Sequence, residues 1–214
     1  LVDVLQAGDL QDRTANIANL LRGNDALRIR LMTTATDELR AHLSVLDWSD
    51  SDLAPDAACD TLLSAIESVT GRVETVDDEL ILHMDGKTYR RTGDVGAGGY
   101  GQVMLFQADE DPESKLVVKV ANTSLGANWN SMANEVKNHA WLTSGDGAGR
   151  DYIADFNGAV RSGDTLVLTM PFYEGGNIEP YISNSNLIDD AVDQDIDHRD
   201  DVIKAAKLSL VHDI

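Results

Sequence analysis

Val95-Gly96-Ala97-Gly98-Gly99-Tyr100-Gly101-Gln102-Val103 is a glycine-rich stretch between two segments that are rich in strand-forming residues. Three of its glycines follow the order G-x-G-x-x-G. Glycine lets a backbone approach a phosphate closely, because no Cβ intervenes and positive φ is freely available. The same spacing also occurs in flexible hairpins, so the neighbouring segments decide what it means.

The residues after the glycines argue against a dinucleotide-binding fold. That fold needs a helix directly after the glycines and an acidic residue about 20 positions later. Here an apolar run over 102–108 is followed by a polar turn over 109–114 and a second apolar run over 115–120. The pattern predicts an antiparallel sheet that covers a nucleotide, with the glycines at a hairpin tip.

The glycine motif and the later apolar strand resemble the protein kinase superfamily. Gly96 to Val103 matches G-x-G-x-x-G-x-V, and 116–119 matches the V-A-I-K strand, with Val117 at the usual alanine. A buried lysine ammonium needs a partner, and the resemblance implies that Lys119 pairs with a glutamate on the next helix. We expect that helix over 130–143 and its glutamate at Glu135; a solvated helix glutamate is the alternative.

The segment after two further predicted strands, 152–160 and 165–170, resembles the kinase hinge. It reads Pro171-Phe172-Tyr173-Glu174-Gly175-Gly176-Asn177. The resemblance implies that Met170 is the gatekeeper beside the adenine and that Asn177 lies near the ribose. It also places the backbone near Pro171 and Tyr173 at the adenine edge. Proline has no N–H, so Pro171 can offer only its carbonyl, the group that hinge recognition uses there.

The last residues, 208–214, follow a predicted helix over 189–210 and resemble the approach to the kinase catalytic loop H-R-D-[LI]-K-x-x-N. One residue is missing between His212 and Asp213. Either Asp213 is the catalytic aspartate and the arginine position is deleted, or Asp213 takes that position and Ile214 replaces the aspartate. We favour the first, because Ile214 then fits an apolar position of the family; a chance His-Asp pair is the alternative.

The resemblance also implies the roles of the site residues. Backbone N–H groups of the glycine loop cover the ATP phosphates, Lys119 contacts the α- and β-phosphates, and Val103 and Val117 enclose the adenine. Asp213 accepts the proton of a substrate hydroxyl in the intact enzyme. The predicted nucleotide-binding residues are Val95, Gly96, Ala97, Gly98, Gly99, Tyr100, Gly101, Val103, Val117, Lys119, Met170, Pro171, Tyr173 and Asn177.

Magnesium ligands of the family lie in motifs that follow the catalytic loop. We therefore expect the Mg²⁺ ligands beyond residue 214, and no phosphate transfer by these 214 residues alone. Aspartates over 189–201 lack the glycine and glutamate of a calcium loop. They predict a charged loop and the first turn of a helix.

The first 72 residues show helical periodicity instead of strand periodicity. Helices are predicted up to Gly23, over 25–46, and from Pro55 to a stop at Gly71, and their leucines predict a small bundle. From residue 73 the pattern becomes strand-like, with a hairpin turn at Asp85-Gly86. His83 in the first strand of that hairpin is expected to be hydrogen-bonded or solvent-facing rather than a metal ligand.

The predicted fold is therefore α+β in two domains. A helical domain over 1–74 precedes a kinase-like domain over 75–214. The kinase-like domain comprises an N-lobe over 75–170, a hinge over 171–177 and the start of a C-lobe over 178–214. The N-lobe is predicted as a five-stranded antiparallel sheet plus the helix that carries Glu135.

The composition of the chain limits the classes of partner that it can bind. The chain has 37 acidic and 17 basic residues, a formal charge of −20, which disfavours nucleic acids and anionic membranes. The single cysteine, Cys59, excludes an intrachain disulfide and is predicted to be a small core residue. No run is long enough for a membrane span.

The resemblance implies an ATP-dependent protein kinase, Ser/Thr rather than Tyr, with ATP and a protein substrate or regulatory protein as partners. Its short loops resemble those of compact kinases that bacteria deliver into host cells. We therefore expect a cytoplasmic protein, or one secreted into a host cell. The alternative is a pseudokinase or nucleotide-binding scaffold, which the irregular His212-Asp213 favours.

Overall fold

The structure, a computed structural model, describes residues 4–5, 9–49, 52–98, 101–121, 129–144 and 155–174. It confirms the α+β class. Its longer helices are α1 (Leu10–Arg22), α2 (Asp25–Met32), α3 (Thr36–Ser44), α4 (Pro55–Thr70) and α5 (Trp129–Ser144). The strands are β1 (Arg72–Val76), β2 (Glu79–Met84), β3 (Lys87–Gly98), β4 (Gly101–Ala108), β5 (Lys115–Ala121), β6 (Gly158–Ser162) and β7 (Thr165–Pro171).

Local sequence sets several ends of the helices. The side chain of Asp9 accepts from the N–H of Asp12 at the start of α1, and Asn24 accepts from Leu27 at the start of α2, both at 2.9 Å. Gly71 ends α4 with a φ of 95°, and a Cβ there would lie 2.1 Å from a backbone oxygen. The predicted stop of the third helix at Gly71 is confirmed.

The predicted helix over 25–46 was wrong, because the chain turns between α2 and α3. Thr33 donates from its hydroxyl to the carbonyl of Ile29 at 2.7 Å, which closes the end of α2. Arg161 of β6 then binds the carbonyls of Leu31 and Thr34, at 3.0 and 2.6 Å. No glycine or proline within 25–46 marks this break, and the only change in the sequence there is the polar, threonine-rich stretch over 33–38.

One antiparallel sheet contains all seven strands, in the order β1-β2-β3-β4-β5-β7-β6. The sheet curls until its edge strands approach, and the N–H of Val73 in β1 donates to the hydroxyl of Ser162 in β6 at 2.9 Å. The prediction of five strands was wrong, because the predicted hairpin strand β2 and the additional strand β1 both join the sheet before the strand that enters the glycine hairpin.

The strand predicted over 152–160 lies later in the chain than expected. Residues 155–157 are not strand, and β6 begins at Gly158, whose φ is 146°. The N–H of Asn157 donates to the carbonyl of Thr169, 3.2 Å away, just before this turn of the backbone. Residues 152–154 lie outside the described residues.

Each face of the sheet has its own core. The concave interior contains Val73, Leu82, Met84, Tyr89, Met104, Phe106, Ala108, Leu116, Val118, Val160 and Val167. On the outer face, Leu166 and Leu168 share a second core with Met132 of α5 and Leu62 of α4. The helical segment and the sheet therefore pack together, and the chain changes from helix to strand at residue 72. The proposed division into two domains stays a prediction.

Cys59 lies within the helical core, fully buried, as predicted. Burial raises the pKa of its thiol, so the neutral form is favoured. Among the described residues, no helix combines the length and apolar character that a membrane crossing requires.

Candidate functional site

The glycines lie at the tip of the β3–β4 hairpin, as predicted. Gly98 is opposite Gly101, and Gly96 is opposite Val103. Pairing of β3 with β4 shifts register between Arg91 and Gly93 and again between Asp94 and Gly96. Such bulges bend and twist a strand, so β3 approaches the tip irregularly. Gly99 and Tyr100 lie outside the described residues.

The glycines of the hairpin differ in what the fold requires of them. A Cβ on Gly101 would lie 2.6 Å from the carbonyl oxygen of Val120 and 3.5 Å from Cε of Lys119. A Cβ on Gly96 would meet no atom of the described residues within 4 Å. Packing of β4 on β5 therefore requires Gly101, whereas the space around Gly96 is open to a ligand.

Lys119 and Glu135 form an ion pair, as the sequence predicted. Leu116 and Val118 face the sheet interior, so alternation along β5 places Lys119 on the outer face, beside α5. Its Nζ donates to Oε1 of Glu135 at 2.7 Å, and the two side chains are 18% and 33% exposed. The pair thus lies at the rim of the packed region, open to solvent on one side.

Three other predicted binding residues share the face on which Lys119 lies. Val103 pairs with Lys119 across β4 and β5, and Val117 pairs with Met170 across β5 and β7. Paired residues of neighbouring strands lie on the same face. Val117 is buried, and Val103 and Met170 are partly buried. The result is an apolar surface next to the Lys119 ammonium and below the glycine hairpin.

The described part of the predicted hinge begins at the end of β7. Pro171 is the last strand residue and lies opposite Leu116. Tyr173 is 50% exposed, and its hydroxyl donates to a carboxylate oxygen of Asp155, 3.3 Å away. The proposed contacts of this backbone with adenine stay predictions. Asn177, Asp213, His212 and the helix over 189–210 lie outside the described residues.

Arg161 is a central residue that the sequence did not identify. It is fully buried on the outer face of β6. Its guanidinium donates to the carbonyl oxygens of Leu31 (3.0 Å), Met32 (3.3 Å), Thr34 (2.6 Å) and Gly163 (2.9 Å) and to the hydroxyl of Thr36 (2.9 Å). Burial lowers its pKa, yet a guanidinium remains protonated. No local signal could have distinguished it from a residue of a polar turn.

Arg161 also contacts the start of α5. Its guanidinium carbon lies 4.6 Å from the ring centroid of Trp129, within the range of a cation–π interaction. The indole N–H of Trp129 donates to the carbonyl oxygen of Thr33 at 3.0 Å. The turn between α2 and α3, strand β6 and the helix that carries Glu135 therefore meet at one point.

His83 takes part in hydrogen bonds within the sheet. His83 lies between Glu74 (2.9 Å) and Thr88 (3.2 Å), and its hydrogen bond lowers the pKa of Glu74. Within the described ranges, no three His, Cys, Asp or Glu side chains are arranged to hold a metal ion.

Two open concavities of about 570 Å³ occur elsewhere. One lies between the end of α4 and the β2–β3 turn, beside Gly71 and Gly86, and the other lies along α1. Neither is lined by a predicted site residue. We place the candidate site at Lys119, because that face combines a cation, apolar surface and an accessible backbone.

No protein-family model matches the chain, and no curated protein matches it either. The assignment of function therefore depends on the geometry of these residues.

Proposed function

We propose that this chain carries the nucleotide-binding part of an ATP-dependent protein kinase that acts on Ser or Thr hydroxyls. The observation that carries the proposal is the Lys119–Glu135 pair at 2.7 Å, on the face that lies below the glycine hairpin. The strand pattern predicted the hairpin, and the resemblance to kinases implied the pairing of Lys119 with Glu135.

The pair is better suited to ligand binding than to stability. An ion pair that water still reaches contributes only about 0–1 kcal/mol. A lysine ammonium has three N–H donors, and among the described residues Lys119 makes one hydrogen bond, to Glu135. Two donors therefore remain for phosphate oxygens, while Glu135 fixes the direction of the side chain.

The surroundings of the pair fit the other parts of ATP. The partly buried Val103 and Met170, beside the buried Val117, offer apolar surface to a base, and the open space at Gly96 admits a phosphate group close to the backbone. ATP supplies the γ-phosphoryl group when it is bound. In the proposed enzyme, Lys119 holds the α- and β-phosphates, and Asp213 accepts the proton of the substrate hydroxyl.

Calorimetric titration of the longest natural form of the protein with Mg·ATP tests this proposal. Lys119→Met, which keeps most of the apolar stem, is expected to weaken binding at least tenfold, about 1.4 kcal/mol. The control is Lys87→Met, because Lys87 also pairs with a carboxylate, Asp111 at 2.9 Å, but lies at the end of β3 away from the hairpin. Absence of binding in the wild type, or equal losses in both variants, contradicts the proposal.

A pseudokinase or nucleotide-binding scaffold is the second candidate. The missing residue between His212 and Asp213 favours it, because the position of the catalytic aspartate is then irregular. A phosphotransfer assay with labelled ATP and a generic Ser/Thr substrate separates the two candidates. Transfer supports the kinase, whereas binding that depends on Lys119 without transfer by the intact enzyme supports the scaffold.

A further inference from the structure

Trp129, the first residue of α5, packs against the side chain of Arg161, which its own hydrogen bonds hold in one position. One face of its ring contacts the guanidinium of Arg161, 4.6 Å from the centroid, and its N–H donates to the carbonyl of Thr33. Both partners belong to other parts of the chain. The start of α5 is therefore attached to β6 and to the turn between α2 and α3.

Arg161 cannot follow a movement of Trp129, because its donors are committed. Its two terminal nitrogens donate to the carbonyls of Leu31 and Thr34 and to the hydroxyl of Thr36. A guanidinium is planar, and its donors have fixed directions. The side chain is also fully buried. It therefore provides a fixed surface for the indole ring.

Helix α5 transmits this position to Glu135. Glu135 follows Trp129 by six residues, about 9 Å along a helix axis. Between and beside them, Met132 and Val136 are buried in the core that includes the helical segment. A displacement of the first turn of α5 would therefore move Glu135 relative to Lys119, whose strand lies in the sheet.

We infer that Trp129 and Arg161 are positioning residues, through which the N-terminal helices hold α5 where Glu135 reaches Lys119. The effect on ATP rests on the proposed function, but the effect on the position of α5 does not. On this inference, the helical segment forms part of the nucleotide site without contacting the nucleotide.

Electron-spin distance measurement tests the position of α5 directly. Spin labels are attached at Glu110, in the exposed β4–β5 turn, and at Lys137, on the exposed side of α5, in a Cys59→Ala background. Trp129→Leu removes the ring face and the N–H. The matched control is Trp141→Leu, because Trp141 lies on the same helix and is 75% exposed.

We expect a single narrow distance distribution in the labelled parent and in Trp141→Leu. Trp129→Leu should give a shifted or broadened distribution and about tenfold weaker binding of Mg·ATP. Trp129→Phe, which keeps a ring for Arg161, should fall between them. If circular dichroism shows that Trp129→Leu does not fold, the distance distribution of Trp129→Phe is compared with that of the parent instead, and a parent-like distribution then overturns the inference.

A parent-like distribution in folded Trp129→Leu overturns the inference, whatever happens to ATP binding. A changed distribution in a protein whose parent does not bind Mg·ATP supports the positioning role and contradicts the proposed function. One set of samples therefore distinguishes failure of the positioning role from failure of the proposed function.

Discussion

Replacement of Arg161 by methionine should be among the most destabilising substitutions in this chain. Methionine fills most of the apolar stem but removes every donor of the guanidinium. The carbonyls of Leu31, Met32 and Thr34 then lose a charged partner in a buried place. An unsatisfied buried acceptor costs about 1–3 kcal/mol, and loss of one partner from a buried charged cluster costs about 3–5 kcal/mol.

We expect a loss of about 3–5 kcal/mol, because the carbonyls of Leu31 and Met32 are buried and only that of Thr34 is partly buried. Domains have a stability of about 5–15 kcal/mol, so the loss is easily measured. Urea unfolding followed by circular dichroism gives the free energy. Arg161→Lys should be intermediate, because it keeps the charge but not the planar set of donors.

Arg40→Met is the control for this prediction. Arg40 is 43% exposed and lies 3.5 Å from Asp37 and 3.4 Å from Asp56. Exposed pairs contribute about 0–1 kcal/mol, so its loss should stay below ~1 kcal/mol. A loss for Arg161→Met that does not exceed that of Arg40→Met would refute the reasoning about the buried cluster.

Two further predictions concern the hairpin and the helical core. Gly96→Ala should change the free energy of unfolding by less than ~0.5 kcal/mol but weaken Mg·ATP binding. Gly101→Ala should lower the free energy of unfolding by about 1–3 kcal/mol, because its Cβ would lie 2.6 Å from the oxygen of Val120. Unfolding and calorimetry check both, and unchanged ATP affinity in Gly96→Ala would count against the site. Burial raises the pKa of the Cys59 thiol in the folded protein. Only the thiol of the unfolded protein therefore ionises as the pH rises above about 8.5. The contribution of the buried thiol to stability is present below that pH and is lost above it. Urea unfolding between pH 7 and 10 should therefore show a steeper decline in the wild type than in Cys59→Ala, and equal slopes would contradict this.

Features with a local physical cause could be predicted from the sequence. The Asp85-Gly86 turn has positive φ at both residues, 53° and 75°, as an Asp-Gly hairpin requires. The glycine hairpin was predictable because strand-forming runs flank it on both sides. Lys119 and Glu135 could be paired in advance only through the resemblance to kinases, which supplied the partner that a lysine in an apolar strand needs.

Features that depend on distant contacts could not be predicted. The turn between α2 and α3 is held by Arg161, about 130 residues later, and no glycine or proline within 25–46 marks it. Strand β1, Arg-Val-Glu-Thr-Val, is short and mostly exposed, so it lacks a strong strand pattern. Its place in the sheet depends on pairing with β2 and on the contact with Ser162 at the far edge.

Backbone amide NMR of the ¹⁵N-labelled chain, titrated with Mg·ATP, tests the central claim most directly. The proposed site predicts that the largest shift changes occur at Gly96, Val103, Lys119 and Met170, and that they disappear in Lys119→Met. Shifts concentrated around Gly71 and Gly86, at the concavity beside α4, would place the ligand elsewhere and contradict the account. The absence of any shift at millimolar Mg·ATP would contradict it as well.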